Sequence, residues 1–202
     1  MKLYSSAGPN PHVVRMFLAE KGLAIETVPV NVMKGENRQA EHLKRNPHGQ
    51  TPALELDDGS FLSEITAICE YIEDTHPAPA LIGATAEEKA VCRMWARRID
   101  LNICEPMTNG FRYAEGLKLF EPRMITLPEA APGLKRIARD RLGWLDGQMA
   151  GQTFICGERF TLADILLFCF LDFAIRVGQP LPPELAAIGA WYQRIKARPA
   201  AA

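Results

Sequence analysis

The sequence predicts an α/β domain followed by an all-α helical domain. Strand and helix patterns alternate over residues 1–75, and a segment with two prolines and no hydrophobic period follows at 75–83. Beyond it, apolar residues recur at helical spacing. We therefore place the domains at 1–76 and 85–202, within a chain of 202 residues that is long enough for both.

The first three elements form a β-α-β unit. Lys2–Ser5 reads as a short strand, and residues 11–21 read as a helix that we expect Asn10 to cap. Gly22 lies just past its end, where a left-handed residue is favoured. The next strand contains Pro29, which cannot donate a ladder hydrogen bond, so we place this strand at a sheet edge.

A hairpin and another helix complete the first domain. Residues 53–56 read as an apolar strand headed by Pro52, and the pair Asp58 and Gly59 suits a tight turn. The helix that begins near Ser63 has an apolar stripe of Ile65, Ile68, Cys69 and Ile72. With a helical segment before the hairpin, this order of elements is thioredoxin-like.

Two capping boxes mark helices in the second domain. Thr85 with Glu88 opens the first of them, which Pro106 should kink or end. Thr161 with Asp164 opens another helix that is apolar on nearly every side and therefore belongs in the core.

The composition excludes several classes of partner. The chain has 23 basic and 24 acidic residues, so it has no excess of positive charge that would bind nucleic acid or an anionic membrane. We find no run of about 18 apolar residues and no signal-peptide core, so we expect a cytoplasmic protein. The five cysteines lack a C-x-x-C pair and read as buried free thiols, and the four histidines lack ligand spacing, so we predict no metal.

The most informative stretch combines a peptide-binding edge with an anion site. A residue before proline is held extended, which leaves the backbone of Thr51 open to pair with a ligand. The backbone amides near Ser63, Glu64 and Ile65 lie at an open helix N-terminus, which can bind a carboxylate. Taken alone, a Ser-Glu pair at a helix start is more often only an N-cap with a favourable helix-dipole interaction than a ligand site.

These motifs resemble those of the glutathione S-transferases, over nearly the whole chain. That family carries Asn-Pro-x-Gly-x-Val-Pro and later Glu-Ser-x-Ala-Ile-x-x-Tyr, and residues 46–52 read Asn-Pro-His-Gly-Gln-Thr-Pro while 64–71 read Glu-Ile-Thr-Ala-Ile-Cys-Glu-Tyr. Ile65 replaces the usual Ser, and loss of that hydroxyl costs about 1 kcal/mol of ligand binding. The resemblance also implies a homodimer across the helices that start near Ser63 and Thr85.

The resemblance implies glutathione as co-substrate and assigns its contacts. Glu64 and the amide of Ile65 hold the γ-glutamyl end. Thr51, ahead of a cis Pro52, pairs with the cysteinyl backbone, and Gln50 lies beside it.

The glycyl carboxylate is assigned to the polar loop that contains Lys34, Asn37 and Arg38. Plant-type members use a basic pair there, which points to Asn37 and Arg38. The alternative is that these residues, like His48, are simply solvated.

The pattern leaves several candidates for the residue that activates the thiol. Asn10 stands where many members carry a Ser or Cys that touches the glutathione sulfur. Its amide can donate to a thiolate but cannot act as a base or form a mixed disulfide, which argues against the disulfide-reducing members. Asn10 could equally be a plain N-cap, and Ser5 and Ser6 remain alternatives.

The chain most resembles a fungal and bacterial subgroup that lacks the N-terminal catalytic Tyr, Ser or Cys. In that subgroup a water held by the helical domain deprotonates the thiol. Thr108 matches the subgroup's Ser, whereas Arg112 stands where a His is expected and could stabilise the thiolate directly. Phe111, Arg112 and Tyr113 are candidates for the electrophile pocket, with a place in the core as the alternative.

We therefore interpret the chain as a two-domain glutathione transferase that conjugates the thiolate to hydrophobic electrophiles. One alternative is a non-catalytic protein-interaction module on the same fold. A narrower alternative is an isomerase of maleyl compounds, whose Ser-Ser-Cys start is not matched because Ala7 follows the two serines.

Overall fold

The computed structural model describes residues 1–201 and divides them into two compact units. The N-terminal unit is Met1–Ala84, and the C-terminal unit begins at Thr85. Residues 75–83, which the proline pattern predicts as a linker, lie within the N-terminal unit.

The N-terminal unit is a four-stranded mixed sheet with helices. In chain order its elements are β1 (Lys2–Ser5), α1 (Pro9–Glu20), β2 (Glu26–Pro29), 3₁₀ turns at Val32–Lys34 and Glu36–Arg38, α2 (Ala40–Arg45), β3 (Ala53–Glu55), β4 (Phe61–Leu62) and α3 (Ile65–Thr75). The strand order is β2-β1-β3-β4, with β1 parallel to β2 and antiparallel to β3. Leu3 in β1 lies opposite Thr27 and Leu54. The thioredoxin-like order and the edge position of β2 are both confirmed.

Helix α1 begins two residues earlier than its sequence pattern indicates. Its first residue is Pro9 and its N-cap is Gly8, with φ 134°, so Asn10 lies in the first turn and the prediction that it caps the helix is wrong. Both Pro9 and Pro11 suit a helix start, and both are buried in the helix, which begins at the earlier one. Gly22 adopts the expected left-handed conformation, with φ 67°.

The C-terminal unit is helical. Its elements are α4 (Ala86–Ile99), a π-helical turn at Asp100–Cys104, α5 (Glu105–Arg112), α6 (Leu117–Phe120), a 3₁₀ turn at Pro128–Ala130, α7 (Ala131–Gln148), α8 (Leu162–Arg176), α9 (Ala186–Lys196) and a 3₁₀ turn at Pro199–Ala201. Isolated bridges pair Phe154 with Gly157 and Cys156 with Arg159. The break expected at Pro106 takes the form of the π-helical turn, since proline has no N–H for an i−4 bond.

Both capping boxes predicted from sequence open helices. Thr85 accepts a hydrogen bond from Glu88 N at 3.2 Å. Thr161 and Asp164 bond reciprocally at the start of α8, whose residues from Leu162 to Leu171 are all buried. This confirms α8 as the core helix of its unit.

The five cysteines are free thiols, and four of them are buried. Within residues 1–201, no helix combines the length and apolar character needed to cross a bilayer. The same residues contain no cluster of three His, Cys, Asp or Glu side chains that could hold a metal ion.

Candidate active site

The segment that leads into β3 leaves a backbone edge open. The Thr51–Pro52 peptide bond is cis, and neither the N–H nor the C=O of Thr51 is paired within the described chain. The Thr51 hydroxyl lies 2.6 Å from the Ser6 hydroxyl. β3 is an inner strand, but its pairing with β1 begins at Ala53 and its pairing with β4 begins at Leu54. The Thr51 backbone therefore lies beyond both pairings, where an extended peptide could pair with it.

The turn before this edge is held by side chains of α2 and its C-cap. His42 Nε2 donates to the Gln50 carbonyl at 2.8 Å, and Asn46 Nδ2 donates to the same oxygen at 3.1 Å. The Gln50 side chain is left exposed. Sequence analysis missed both His42 and Asn46, because their acceptor is a backbone atom that no side-chain pattern reveals.

A second contact joins the polar loop to the same turn. Asn37 is buried and donates from Nδ2 to the Gly49 carbonyl at 2.7 Å, while Arg38 Nη1 lies 3.3 Å from the His48 carbonyl. A Cβ on Gly49 would lie 2.9 Å from Asn37 O, and Gly49 has φ 62°, so this approach requires glycine. Asn37 thus positions the loop, and the exposed Arg38 provides its cation.

The start of α3 has unpaired backbone amides. The amides of Ile65, Thr66 and Ala67 have no acceptor among the described residues, and the first helical bond runs from Ile68 N to Glu64 O at 3.0 Å. Such amides carry the positive end of the helix dipole and favour a carboxylate. Glu64 itself is exposed, with φ 68° and ψ 121°, and its carboxylate has no partner among residues 1–201.

The start of α1 offers fewer donors than a helix N-terminus usually does. Pro9 and Pro11 have no N–H, and His12 N is bonded to the Gly8 carbonyl at 3.3 Å. The Asn10 N–H and the Asn10 side-chain amide are unpaired in the described structure. Any anion at this helix start therefore depends on Asn10.

Arg15 binds both Ser5 and Ser6, which are the alternatives to Asn10 as the residue that contacts the thiol. Its Nη1 donates to the Ser5 hydroxyl at 2.8 Å and to the Ser6 carbonyl at 3.0 Å. Ser5 is buried, whereas Ser6 is partly exposed. The geometry leaves Ser6, through its contact with Thr51, nearer to the open edge than Ser5.

In the C-terminal unit, Thr108 and Arg112 both have local partners on α5. The buried Thr108 hydroxyl donates to the Cys104 carbonyl. Arg112 Nη1 donates to Asn109 Oδ1 at 2.8 Å and lies 3.9 Å from a Glu105 carboxylate oxygen, so its charge is partly balanced. Burial raises the pKa of the Cys104 thiol well above its ordinary value, so this cysteine stays protonated.

The two aromatic candidates differ in their surroundings. The Phe111 ring stands edge-on to Phe173 and Phe120, with centroid separations of 5.1 and 6.1 Å, so most of its surface packs within the unit. Tyr113 is the C-cap of α5 and is partly exposed. Its hydroxyl has no partner in the part of the chain that the structure describes.

The fold and the site define a class of protein in which a thioredoxin-like unit presents an unpaired backbone segment and unpaired amides at a helix start, and a helical unit follows. Residues 1–74 match the N-terminal domain of glutathione S-transferase, and residues 123–199 match its C-terminal domain. The chain belongs to the glutathione S-transferase family and is an enzyme of that type.

Three relatives illustrate the similarity. Glutathione S-transferase 2 of Saccharomyces cerevisiae is 36% identical over 200 residues, which cover 96% of this chain and 84% of the relative. Maleylacetoacetate isomerase of Pseudomonas aeruginosa is 32% identical over 184 residues, covering 90% and 84%. The crystal structure of a glutathione S-transferase domain-containing protein from Marinobacter aquaeolei VT8 has a TM-score of 0.94 and 35% identity, with 100% of both chains covered.

Proposed function

We propose that this transferase conjugates the glutathione thiolate to electrophilic carbon atoms of hydrophobic molecules. The observation that carries the proposal is the unpaired backbone of Thr51 together with the unpaired amides at the start of α3. A tripeptide with a free carboxylate at its γ-glutamyl end needs both features.

In this proposal the N-terminal unit holds glutathione at three points. Thr51, ahead of Pro52, pairs with the cysteinyl backbone, and the exposed Gln50 side chain donates to the same region. The amide of Ile65 binds the γ-glutamyl carboxylate, and the Glu64 carboxylate binds the γ-glutamyl ammonium group.

The third point is the glycyl carboxylate, which we assign to Arg38 with Asn37. Arg38 contributes its exposed cation, and the Asn37 amide holds the loop against Gly49. The distribution of charges along this surface therefore matches that of glutathione.

We assign thiolate stabilisation to Asn10. A free thiol has a pKa near 8.5, so only about 3% is ionised at pH 7, and lowering the pKa by about two units takes roughly 2.7 kcal/mol. The unpaired backbone and side-chain amides of Asn10 are the donors that α1 offers for this. The thiolate then attacks the electrophilic carbon, the C–S bond forms, and the leaving group departs with its bonding electron pair.

In the C-terminal unit we assign the electrophile to Phe111, Arg112 and Tyr113. Thr108 retains a hydroxyl lone pair that can orient a water, although its proton is committed to Cys104. A homodimer and a cytoplasmic location remain part of the proposal, and sedimentation velocity tests the first of these.

Calorimetric titration with glutathione and conjugation of 1-chloro-2,4-dinitrobenzene across pH test the proposal. We expect Asn10→Ala to raise the apparent pKa of kcat/KM by about one unit, the value of one hydrogen bond to an anion. The matched control is Asn102→Ala on the exposed face of the π-helical turn, which should leave the profile unchanged. Thr108→Ala, measured in parallel, tests the water-orienting role.

Absence of glutathione binding at millimolar concentration would contradict the proposal and favour the non-catalytic interaction module. Binding with turnover that Asn10→Ala leaves unchanged at every pH would retain the transferase but remove Asn10 from its chemistry.

A further inference from the structure

Two cysteines of the helical unit that are distant in the sequence lie side by side in the fold. Cys92 lies on α4 and Cys156 in the loop before α8, and their thiols hydrogen-bond each other. Cys92 is fully buried, whereas Cys156 is partly exposed. Neither residue has a part in the proposed glutathione site.

The loop that carries Cys156 is held against α4 by further contacts. An isolated bridge pairs Cys156 with Arg159, and Arg159 Nε lies 3.5 Å from a Glu88 carboxylate oxygen. Glu88 is four residues before Cys92 on α4, so the two side chains lie on the same face of that helix. The Thr161 hydroxyl donates to Cys156 Sγ at 3.4 Å. The two sulfurs are therefore brought together by the native packing.

The surroundings of Cys92 favour a thiolate. The hydrogen bond from the Cys156 thiol is the largest cause that lowers the pKa of Cys92 below its ordinary value, and the Thr161 hydroxyl and the Ala163 N–H at the start of α8 act in the same direction. Burial and the Asp164 charge oppose them. The same hydrogen bond raises the pKa of the Cys156 thiol, because Cys156 is its donor. When the pair loses its first proton, the remaining proton is shared along the S–H···S hydrogen bond.

A second pair of cysteines provides an internal comparison. Cys104 lies near enough to Cys169 for their charges to interact, but both side chains are fully buried. Burial raises the pKa of Cys104 well above its ordinary value, so this pair has neither an accessible sulfur nor a thiolate. Only the pair formed by Cys92 and Cys156 combines both properties among the cysteines of the described chain.

We propose that Cys92 and Cys156 form a redox-active dithiol, which hydroperoxides oxidise to an intramolecular disulfide between α4 and the loop before α8. The oxidant reaches the pair at the partly exposed Cys156. The pair acts without glutathione and is separate from the residues proposed for conjugation.

The oxidation takes two steps. In the singly ionised pair the Cys156 proton moves to Cys92, and the Cys156 thiolate attacks the terminal oxygen of the hydroperoxide. The O–O bond breaks, its electron pair leaves with the alkoxide, which takes a proton from solvent, and Cys156 becomes a sulfenic acid. The Cys92 sulfur then attacks the Cys156 sulfur, the S–S bond forms, and the hydroxide leaves with the Cys92 proton as water. Two electrons thus pass from the two thiols to the peroxide, which yields an alcohol and water.

Thiol counting after treatment with stoichiometric hydrogen peroxide tests the proposal in the full-length protein. We expect three of the five thiols to remain free, and peptide mapping should show one linked peptide that joins Cys92 to Cys156. Dithiothreitol should restore all five thiols, because a disulfide is reversible whereas sulfinic and sulfonic acids are not.

Three variants distinguish the roles of the two sulfurs. Cys156→Ser should lose no thiol to peroxide, because the sulfur that the oxidant reaches is absent. Cys92→Ser should lose one thiol and accumulate a Cys156 sulfenic acid that dimedone labels, because no second thiol can displace the hydroxide. The matched control is Cys69→Ala, which removes a buried thiol of the N-terminal unit and should still lose two thiols.

Five free thiols in the peroxide-treated original protein would overturn the proposal. So would a disulfide that contains Cys104 or Cys169, a disulfide between two copies of the chain, or a loss of two thiols from Cys156→Ser. The measurement on the original protein decides the question even where a variant fails to fold.

Discussion

Glu64 is the only non-glycine residue with positive φ among residues 1–201. A φ of 68° with ψ 121° is a sparsely populated conformation that costs about 1–3 kcal/mol. Glu64 is exposed, and the amides of Ile65 and Thr66 that follow it have no acceptor among the described residues. The conformation is therefore consistent with the role proposed for Glu64 in binding the γ-glutamyl group.

Two substitutions of Glu64 distinguish the effect of its backbone strain on stability from the effect of its carboxylate charge on glutathione binding. We expect Glu64→Gly to increase the free energy of unfolding by up to about 1 kcal/mol, because glycine tolerates positive φ. Glu64→Gln keeps the strain and should leave stability within about 0.5 kcal/mol of the original. Both should weaken glutathione binding roughly tenfold or more, because the ammonium loses its carboxylate partner.

Urea unfolding and calorimetric titration measure the two effects, with the exposed Glu121→Gln as the control. If Glu64→Gly bound glutathione as tightly as the original protein, Glu64 would have no part in the site.

At the level of elements, Asp164 joins the start of α8 to its surroundings. It accepts hydrogen bonds from Ile155 N at 3.0 Å, Thr161 N at 2.9 Å and Trp191 Nε1 at 2.8 Å. Burial raises the pKa of this carboxyl above its ordinary value, although the hydrogen bonds act in the opposite direction. One side chain thus fixes the preceding loop, α8 and α9 relative to one another.

Asp164→Ala should lower the free energy of unfolding by about 3 kcal/mol or more, because three buried donors lose their acceptor. Asp164→Asn should cost less, since its amide oxygen still accepts. Exposed Asp140→Ala on α7 is the control and should change stability by less than about 0.5 kcal/mol. Urea unfolding measures all three, and a loss for Asp164→Ala no larger than that of the control would contradict the assigned role.

At the scale of the whole chain, a buried ion pair holds the segment that precedes the helical unit. Lys21 and Glu73 are paired with side-chain exposures of 0% and 3%. Lys21 Nζ also donates to the carbonyls of His76 and Pro79 at 2.7 and 2.6 Å, and Glu73 accepts from Ile82 N at 2.8 Å. These bonds explain why residues 77–84 belong to the N-terminal unit instead of forming a free linker.

Lys21→Met should lower the free energy of unfolding by about 3–5 kcal/mol, because Glu73 becomes an unpaired buried charge. It should also make residues 77–84 susceptible to limited proteolysis, since the carbonyls of His76 and Pro79 lose the Lys21 donor. The control Lys44→Met removes an exposed pair with Glu41 and should cost less than about 1 kcal/mol. Protease resistance equal to that of the control would show that the ion pair does not hold the segment.

Much of the fold was predictable because its signals are local. The proline in β2, the Asp58–Gly59 hairpin turn and the capping residues Thr85 and Thr161 each act within a few positions of the chain. The helix start at Pro9 was missed because Pro9 and Pro11 both satisfy the local rules, and no local rule separates them.

The candidate site was predictable only in part. Thr51 and the start of α3 could be proposed as site positions because a residue before proline is held extended and a helix start has a compact sequence pattern. The cis Pro52 and the role of Glu64 were implied only by the resemblance to the family. The residues that hold these positions in place could not be predicted. His42 binds a backbone carbonyl, and the Ser6 hydroxyl contacts a hydroxyl 45 residues away in the sequence.

Local sequence was therefore enough for the order of elements, the edge strand and the core helix α8, because dihedral preferences and hydrophobic periods act over one or two turns. The Lys21–Glu73 pair and the unpaired amides of Asn10 depended on packing. Each requires groups that are distant in sequence or open to solvent to take specific positions, and burial and long-range contacts decide those positions.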